Sequence, residues 1–160
     1  MPRQNVEPCR TVINNDSTTS WGVSFTGKYL LKNKDDIRFG INVGSGMGRY
    51  IGLNVSNGAV VNNNNKLEAI DSMGLFASYR HLWNANWRSN FTYSRIDIDN
   101  NTALTGTSAT KATASARANL FYAWTKNLTL GGELALANRE IETGADGDMT
   151  RLQFMAMLKF

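Results

Sequence analysis

Leu152-Gln153-Phe154-Met155-Ala156-Met157-Leu158-Lys159-Phe160 closes the chain with an apolar residue at every second position, while Arg151, Gln153 and Lys159 fill the gaps. A strand with one apolar and one charged face fits a wall between lipid and water. A terminal aromatic is typical of bacterial outer-membrane barrels. Soluble β-proteins use the same alternation, so the rest of the chain has to decide.

Outward from this segment the period of two recurs. Leu128, Leu130, Leu134 and Leu136 oppose Thr129, Gly131 and Glu133. Ala112, Ala114, Ala116, Ala118, Leu120, Tyr122 and Trp124 oppose Thr113, Ser115, Arg117 and Asn119. Trp87, Phe91 and Tyr93 oppose Arg88, Asn90, Thr92 and Ser94; Met73, Leu75, Ala77 and Tyr79 oppose Gly74, Ser78 and Arg80, with Phe76 breaking the polarity. Ile37, Phe39, Ile41 and Val43 oppose Arg38, Gly40 and Asn42, and Trp21, Val23, Phe25, Tyr29 and Leu31 oppose Gly22, Ser24, Thr26 and Lys28. The pattern predicts seven strands. The stretches 133–142 and 109–118 are rich in helix formers, but their period is two and turn chemistry bounds them, so they are read as strands.

Composition agrees with an all-β antiparallel transmembrane barrel. The chain has 160 residues, 42% of them hydrophobic, and a mean hydropathy of -0.33. It contains no apolar run of the length a membrane helix needs. Lumen-facing polar residues dilute every strand of such a barrel. Two prolines suit a sheet, where proline removes ladder hydrogen bonds. The single cysteine, Cys9, excludes an internal disulfide framework and leaves no partner for a metal cluster.

Three predicted connections are short, Lys32 to Asp36, Trp83 to Asn86 and Thr125 to Asn127; three are longer and polar, Gly44 to Lys66, Asp99 to Lys111 and Thr143 to Asp148. Strict alternation of short and long is expected of outer-membrane barrels, whose periplasmic turns are tight and external loops extended. Tyr29, Tyr79, Trp83, Trp87, Tyr122, Trp124 and Phe160 flank the short set and are expected to form an aromatic girdle at the membrane interface.

Seven strands with a periplasmic C-terminus leave the residues before Trp21 on the outer side, whereas bacterial single-chain barrels have even strand numbers. Either the chain is the C-terminal part of a larger barrel or a strand near Arg10 to Asn15 goes unrecognised, and the first is expected. Residues 1–17 read as an irregular N-terminal segment without a secretory signal, and 18–160 as barrel.

The run Gly44-Ser45-Gly46-Met47-Gly48-Arg49-Tyr50-Ile51-Gly52-Leu53-Asn54 directly after a strand, with Trp83-Asn84-Ala85-Asn86-Trp87-Arg88-Ser89-Asn90 across a tight turn, resembles the DcaP-like porins of Gram-negative bacteria. The likeness runs from about Trp21 to Phe160. It implies a trimeric outer-membrane channel of about sixteen strands for small, often anionic solutes, inserted by the barrel-assembly machinery, with roughly the first half of the barrel outside this sequence. Met155 departs from the assembly signal, which usually has glycine there.

If the apolar faces meet lipid, the other face carries Lys28, Arg38, Arg80, Arg88, Arg117, Arg139, Arg151 and Lys159 against one clear acid, Glu133. Asp35, Asp36, Asp97, Asp99, Asp146 and Asp148 are expected in turns and loops. Arginine remains charged and can hold a carboxylate with two hydrogen bonds, so such a set lowers the energy of an anion in a narrow pore. Arg49, after the flexible Gly44 to Gly48 stretch, is the loop residue best able to fold inward. Isolated basic residues on wet surfaces often only pair with neighbours, and the imbalance of the set is what carries the reading.

Other motifs are weak. Gly44, Gly46 and Gly48 lack the spacing and following helix of a nucleotide loop. His81, the one histidine, has no nucleophile–acid arrangement in sequence, so an enzyme is not expected. The net charge of +4 is spread singly over separate strands, unlike a nucleic-acid patch. N-x-[ST] matches such as those at Asn54, Asn90, Asn100 and Asn127 carry no information in an Asn-rich chain. The expectation is passive diffusion of small anionic solutes with no cofactor and no metal; the alternative is a small non-porin barrel or soluble β-protein with a structural or ligand-binding role.

Overall fold

The computed structural model describes residues 16–52 and 55–160. The strand considered near Arg10 to Asn15 lies outside the described residues, as does most of the 1–17 segment. Seven long strands follow one another: β1 (Trp21–Leu30), β2 (Asp36–Ser45), β5 (Asp71–Leu82), β6 (Trp87–Asp99), β7 (Thr110–Ala123), β8 (Leu128–Ile141) and β9 (Asp146–Leu158). They form one antiparallel sheet in sequential order, a meander of hairpins. Between β2 and β5 the chain forms a short helix, α1 (Gly48–Gly52), and a small separate hairpin of β3 (Ala59–Val61) and β4 (Leu67–Ala69); α2 (Thr102–Thr105) lies between β6 and β7. No helix among the described residues is long and apolar enough to cross a membrane.

The seven strands are those the alternation predicts, but several run further. β8 continues from Leu136 to Ile141, and β9 begins at Asp146, six residues before its apolar stripe. The ladder continues after the side chains turn polar: Asn138 pairs with Asp148 and Glu140 with Asp146. The expected long loop from Thr143 to Asp148 is therefore a four-residue turn, 142–145, closed by Ile141 N donating to Ala145 O at 3.0 Å, with Gly144 at φ +82°. The left-handed backbone that glycine adopts freely lets the chain reverse there. Strict short–long alternation fails at this hairpin; the long connections are 46–70 and 100–109. Asp36, Asp97, Asp99, Asp146 and Asp148, expected in turns and loops, lie in strands.

The small hairpin was not visible as alternation because its strands are three residues each. Its turn uses the asparagine run: the Asn62 side-chain oxygen accepts from Asn64 N at 3.0 Å and Lys66 N at 3.1 Å, the local competition for backbone groups that favours Asn in turns.

The sheet has almost no interior. Ile70, Ile98, Ala112 and Ala135 are the buried apolar residues among those described, whereas Phe25, Leu152 and Phe154 on one face are 63%, 64% and 77% exposed. A continuous bare apolar face of this size fits a surface that meets lipid. Three phenylalanines cover glycines that are their direct partners across strands: Phe39 over Gly27, Phe76 over Gly40 and Phe121 over Gly131. A Cβ at those glycines would stand 2.4–2.5 Å from the ring. Phe76, which broke the polarity of its strand, fills the space above Gly40.

Candidate functional site

Register gathers most of the strand cations, Arg95 and Lys111 excepted, on one face, the inner one, over which the 46–70 connection folds. Reading partners from strand to strand, Lys28, Arg38, Ser78, Thr92, Arg117, Ala135 and Arg151 form a single lateral row. The adjacent inner row toward the short turns is Leu30, Asp36, Arg80, Asn90, Asn119, Glu133 and Gln153. The first row thus holds four cations, and the second supplies acids for three of them, Lys28, Arg38 and Arg151. Asp36 is fully buried, with Arg38 Nε at 3.0 Å, Lys28 Nζ at 3.9 Å and an ion pair to Arg80. Arg151 lies 3.5 Å from Glu133. Arg117 is exposed, and among the described residues it has no acidic partner.

The other predicted cations are more scattered. Arg88 lies over the Phe121 ring, 5.0 Å from its centroid. Arg139 sits near the long connections and donates to Thr110 Oγ1 at 2.9 Å. Lys159 falls beyond β9, where its backbone N–H donates to Asn127 O at 2.9 Å. A polar hollow of about 370 Å³ opens between Arg38, Arg80, Arg88, Asn90 and Asn119. Glu133 is not the one acid of this face. Asp36 shares it, a residue that sequence reasoning assigned to a turn; its position two residues before Arg38 was the available signal, because i and i+2 share a face.

The 46–70 connection is held against the wall by notches of missing side chains. Met47 fills the space over Gly22 and Gly44, and Ile51 that over Gly74, where a Cβ would meet the Ile51 methyl at 2.4 Å. Gly46 N donates to Ile70 O at 2.9 Å and Leu67 N to Asp16 Oδ2 at 2.7 Å, fixing both ends. This puts α1 on the inner face with Arg49 and Tyr50 exposed, the latter at 81%.

The outer face has two polar margins. Arg95 and Asp97 pair at 2.6 Å, Lys111 and Glu140 at 2.7 Å, and Asn138 donates to Asp148 at 3.0 Å; all lie toward the long connections. Toward the short turns lie the aromatics: Trp87 stacks on Tyr122 at 4.5 Å, and Tyr29, Trp83, Trp124 and Phe160 are exposed at the same end. From Trp87 to Arg95 is roughly 27 Å along the strand, or about 21 Å in height at the usual tilt of ~40°, against an apolar band of about 25 Å in outer-membrane barrels.

Below this band a buried carboxylate locks a turn. Asp35 Oδ2 accepts from the Tyr79 hydroxyl at 2.6 Å and from Asn33 at 2.5 Å, Oδ1 accepts from Leu82 N at 2.9 Å, and His81 Nδ1 stands 2.8 Å away. These hydrogen bonds, Tyr79 first, hold the Asp35 carboxyl well below the usual carboxylate range. His81 therefore does have an acid beside it, supplied by a residue 46 positions earlier. The nearby Ser89 hydroxyl accepts the Trp83 indole N–H at 2.9 Å. No group of three or more His, Cys, Asp or Glu among the described residues could hold a metal ion.

The sequence profile described as DcaP outer membrane protein matches residues 6–160. The fold is similar to that of the outer membrane channel DcaP of Acinetobacter baumannii, with a TM-score of 0.79 at 20% identity over 93% of this chain. The match covers 43% of that channel's chain, so this sequence spans less than half its length. No curated protein matches the chain by sequence.

Proposed function

The chain belongs to the DcaP outer membrane protein family, and from that premise we propose that it forms part of the wall of an outer-membrane porin through which small anionic solutes diffuse passively. One observation carries the reading. Arg117 stands without an acidic partner among the described residues, in the inner row that also bears Lys28, Arg38 and Arg151. In a barrel whose strands tilt, a lateral row climbs the wall, so its cations offer an anion successive footholds. Each needs to bind only weakly for the solute to move on. Arg49, on the segment folded over the same face, narrows the path. Arg80, Arg88 and Arg139 add to the same sign of field, and the solute undergoes no chemistry.

Strand direction limits how the wall closes. β1 and β9 both run from the long-connection end to the short-turn end, so an antiparallel closure takes an odd number of further strands. Nine would give the sixteen that the resemblance implies. We extend the proposal to a trimer of such barrels in the outer membrane, inserted by the barrel-assembly machinery.

The test is the zero-current potential of the complete channel in planar bilayers under a salt gradient. With Arg117→Glu and Arg49→Glu together it should move toward cation preference, because the local field changes sign. An unchanged potential would mean that these residues do not line the path.

A further inference from the structure

Asp36 is the most heavily engaged charge on the inner face. It is fully buried at the start of β2, whereas Lys28, Arg38 and Arg80 around it keep 47%, 51% and 31% of their side chains exposed. The carboxylate is therefore shielded by its own partners, and the cationic heads are what a solute meets. Two of those heads, Arg38 and Arg80, border the hollow that Arg88, Asn90 and Asn119 complete. A cation already paired with a protein carboxylate has part of its hydrogen-bonding capacity taken, so a passing anion gains less from it than from a free guanidinium. Asp36 also cancels one of the three charges around it.

Resting on the anion-pore reading, we infer that Asp36 is a specificity-determining residue of the pore: a built-in competitor that weakens the hold of Lys28, Arg38 and Arg80 on a permeating carboxylate and so speeds its release. The wall then has two kinds of foothold. Arg117 is free and attracts; the Asp36 cluster is partly neutralised and lets go. Conduction needs both properties along one path.

The experiment measures current through the complete channel in planar bilayers, with potassium acetate as the probe. In Asp36→Asn the acetate concentration at half-saturating conductance should fall by about twofold to fivefold, the measure of one partly exposed ion pair. The reversal potential in an acetate gradient should move further toward anion preference, and Asp36→Glu should restore the parent values. Should Asp36→Asn not assemble, Asp36→Asn with Arg80→Gln removes the buried pair as a unit. Net charge is then unchanged, and half-saturation should still fall because Lys28 and Arg38 are released from competition. If half-saturation stays at the parent value in the variant that assembles, while Arg117→Glu still shifts selectivity, Asp36 only fastens the wall and the inference is overturned. If Arg117→Glu is also without effect, it is the anion-pore reading itself that has failed.

Discussion

The Tyr79 hydroxyl donates to Asp35 Oδ2 at 2.6 Å across 44 residues of sequence, tying the first short turn to the strand beside it. Because Tyr79, Leu82 and their neighbours stabilise the ionised form, the folded Asp35 carboxyl lies below its unfolded value. Its contribution is then complete above the usual carboxylate pKa of about 3.9. It disappears as pH falls through the lower folded value. The thermal midpoint, followed by heat-shifted electrophoretic mobility, should be flat from neutral pH to about pH 5 and drop below about pH 4. Asp35→Asn should lower the midpoint at neutral pH and flatten the acid limb; a variant with the parent's acid limb would assign the loss to other groups.

Gly74 exists as a notch for Ile51. Gly74→Val should leave the ladder intact, since valine suits a strand, while pushing α1 off the inner wall. The expected outcome is a larger single-channel conductance with unchanged heat stability. Equal conductance would show that the 46–70 connection does not narrow the path.

Facing can be tested by an arginine pair. Leu134 lies on the outer face, two outer rows above Trp87 and Tyr122, and Gln153 on the inner face. Leu134→Arg should cost about 2–4 kcal/mol of folding stability in lipid vesicles, the range for a basic residue near the bilayer midplane. Gln153→Arg should stay within about 0.5 kcal/mol, as for a surface change without a special role. Equal costs would contradict the assignment of lipid and water faces.

In the outer stripe Ala112, Ala114, Ala116 and Ala118, the last two lie between Tyr93 and Phe91 on one side and Leu136 and Leu134 on the other, and the first two between Asp97 and Arg95 and Glu140 and Asn138. Small side chains there allow the close approach of a neighbouring subunit in the proposed trimer. Cysteines at Ala114 and Ala116 in the complete channel should give an oxidised intersubunit species; its absence from both variants would leave the stripe facing lipid.

What the sequence determined by itself was the wall. Alternation of period two is a local property of strands, so all seven were legible, including the two stretches where helix propensity pointed the other way. The same parity put Lys28, Arg38, Arg80, Arg88, Arg117, Arg139 and Arg151 on one face. Strand ends were not legible, because backbone hydrogen bonding in β8 and β9 outlasts the apolar signal by several residues and turns an expected loop into a tight turn. Only the tertiary structure decided register, which no single strand encodes. Register makes Lys28, Arg38, Arg117 and Arg151 one row, and brings Asp36 to Arg80 and Asp35 to Tyr79 and His81. A carboxylate's role is fixed by what lies across the strand from it, and that neighbour is dozens of residues away in the chain.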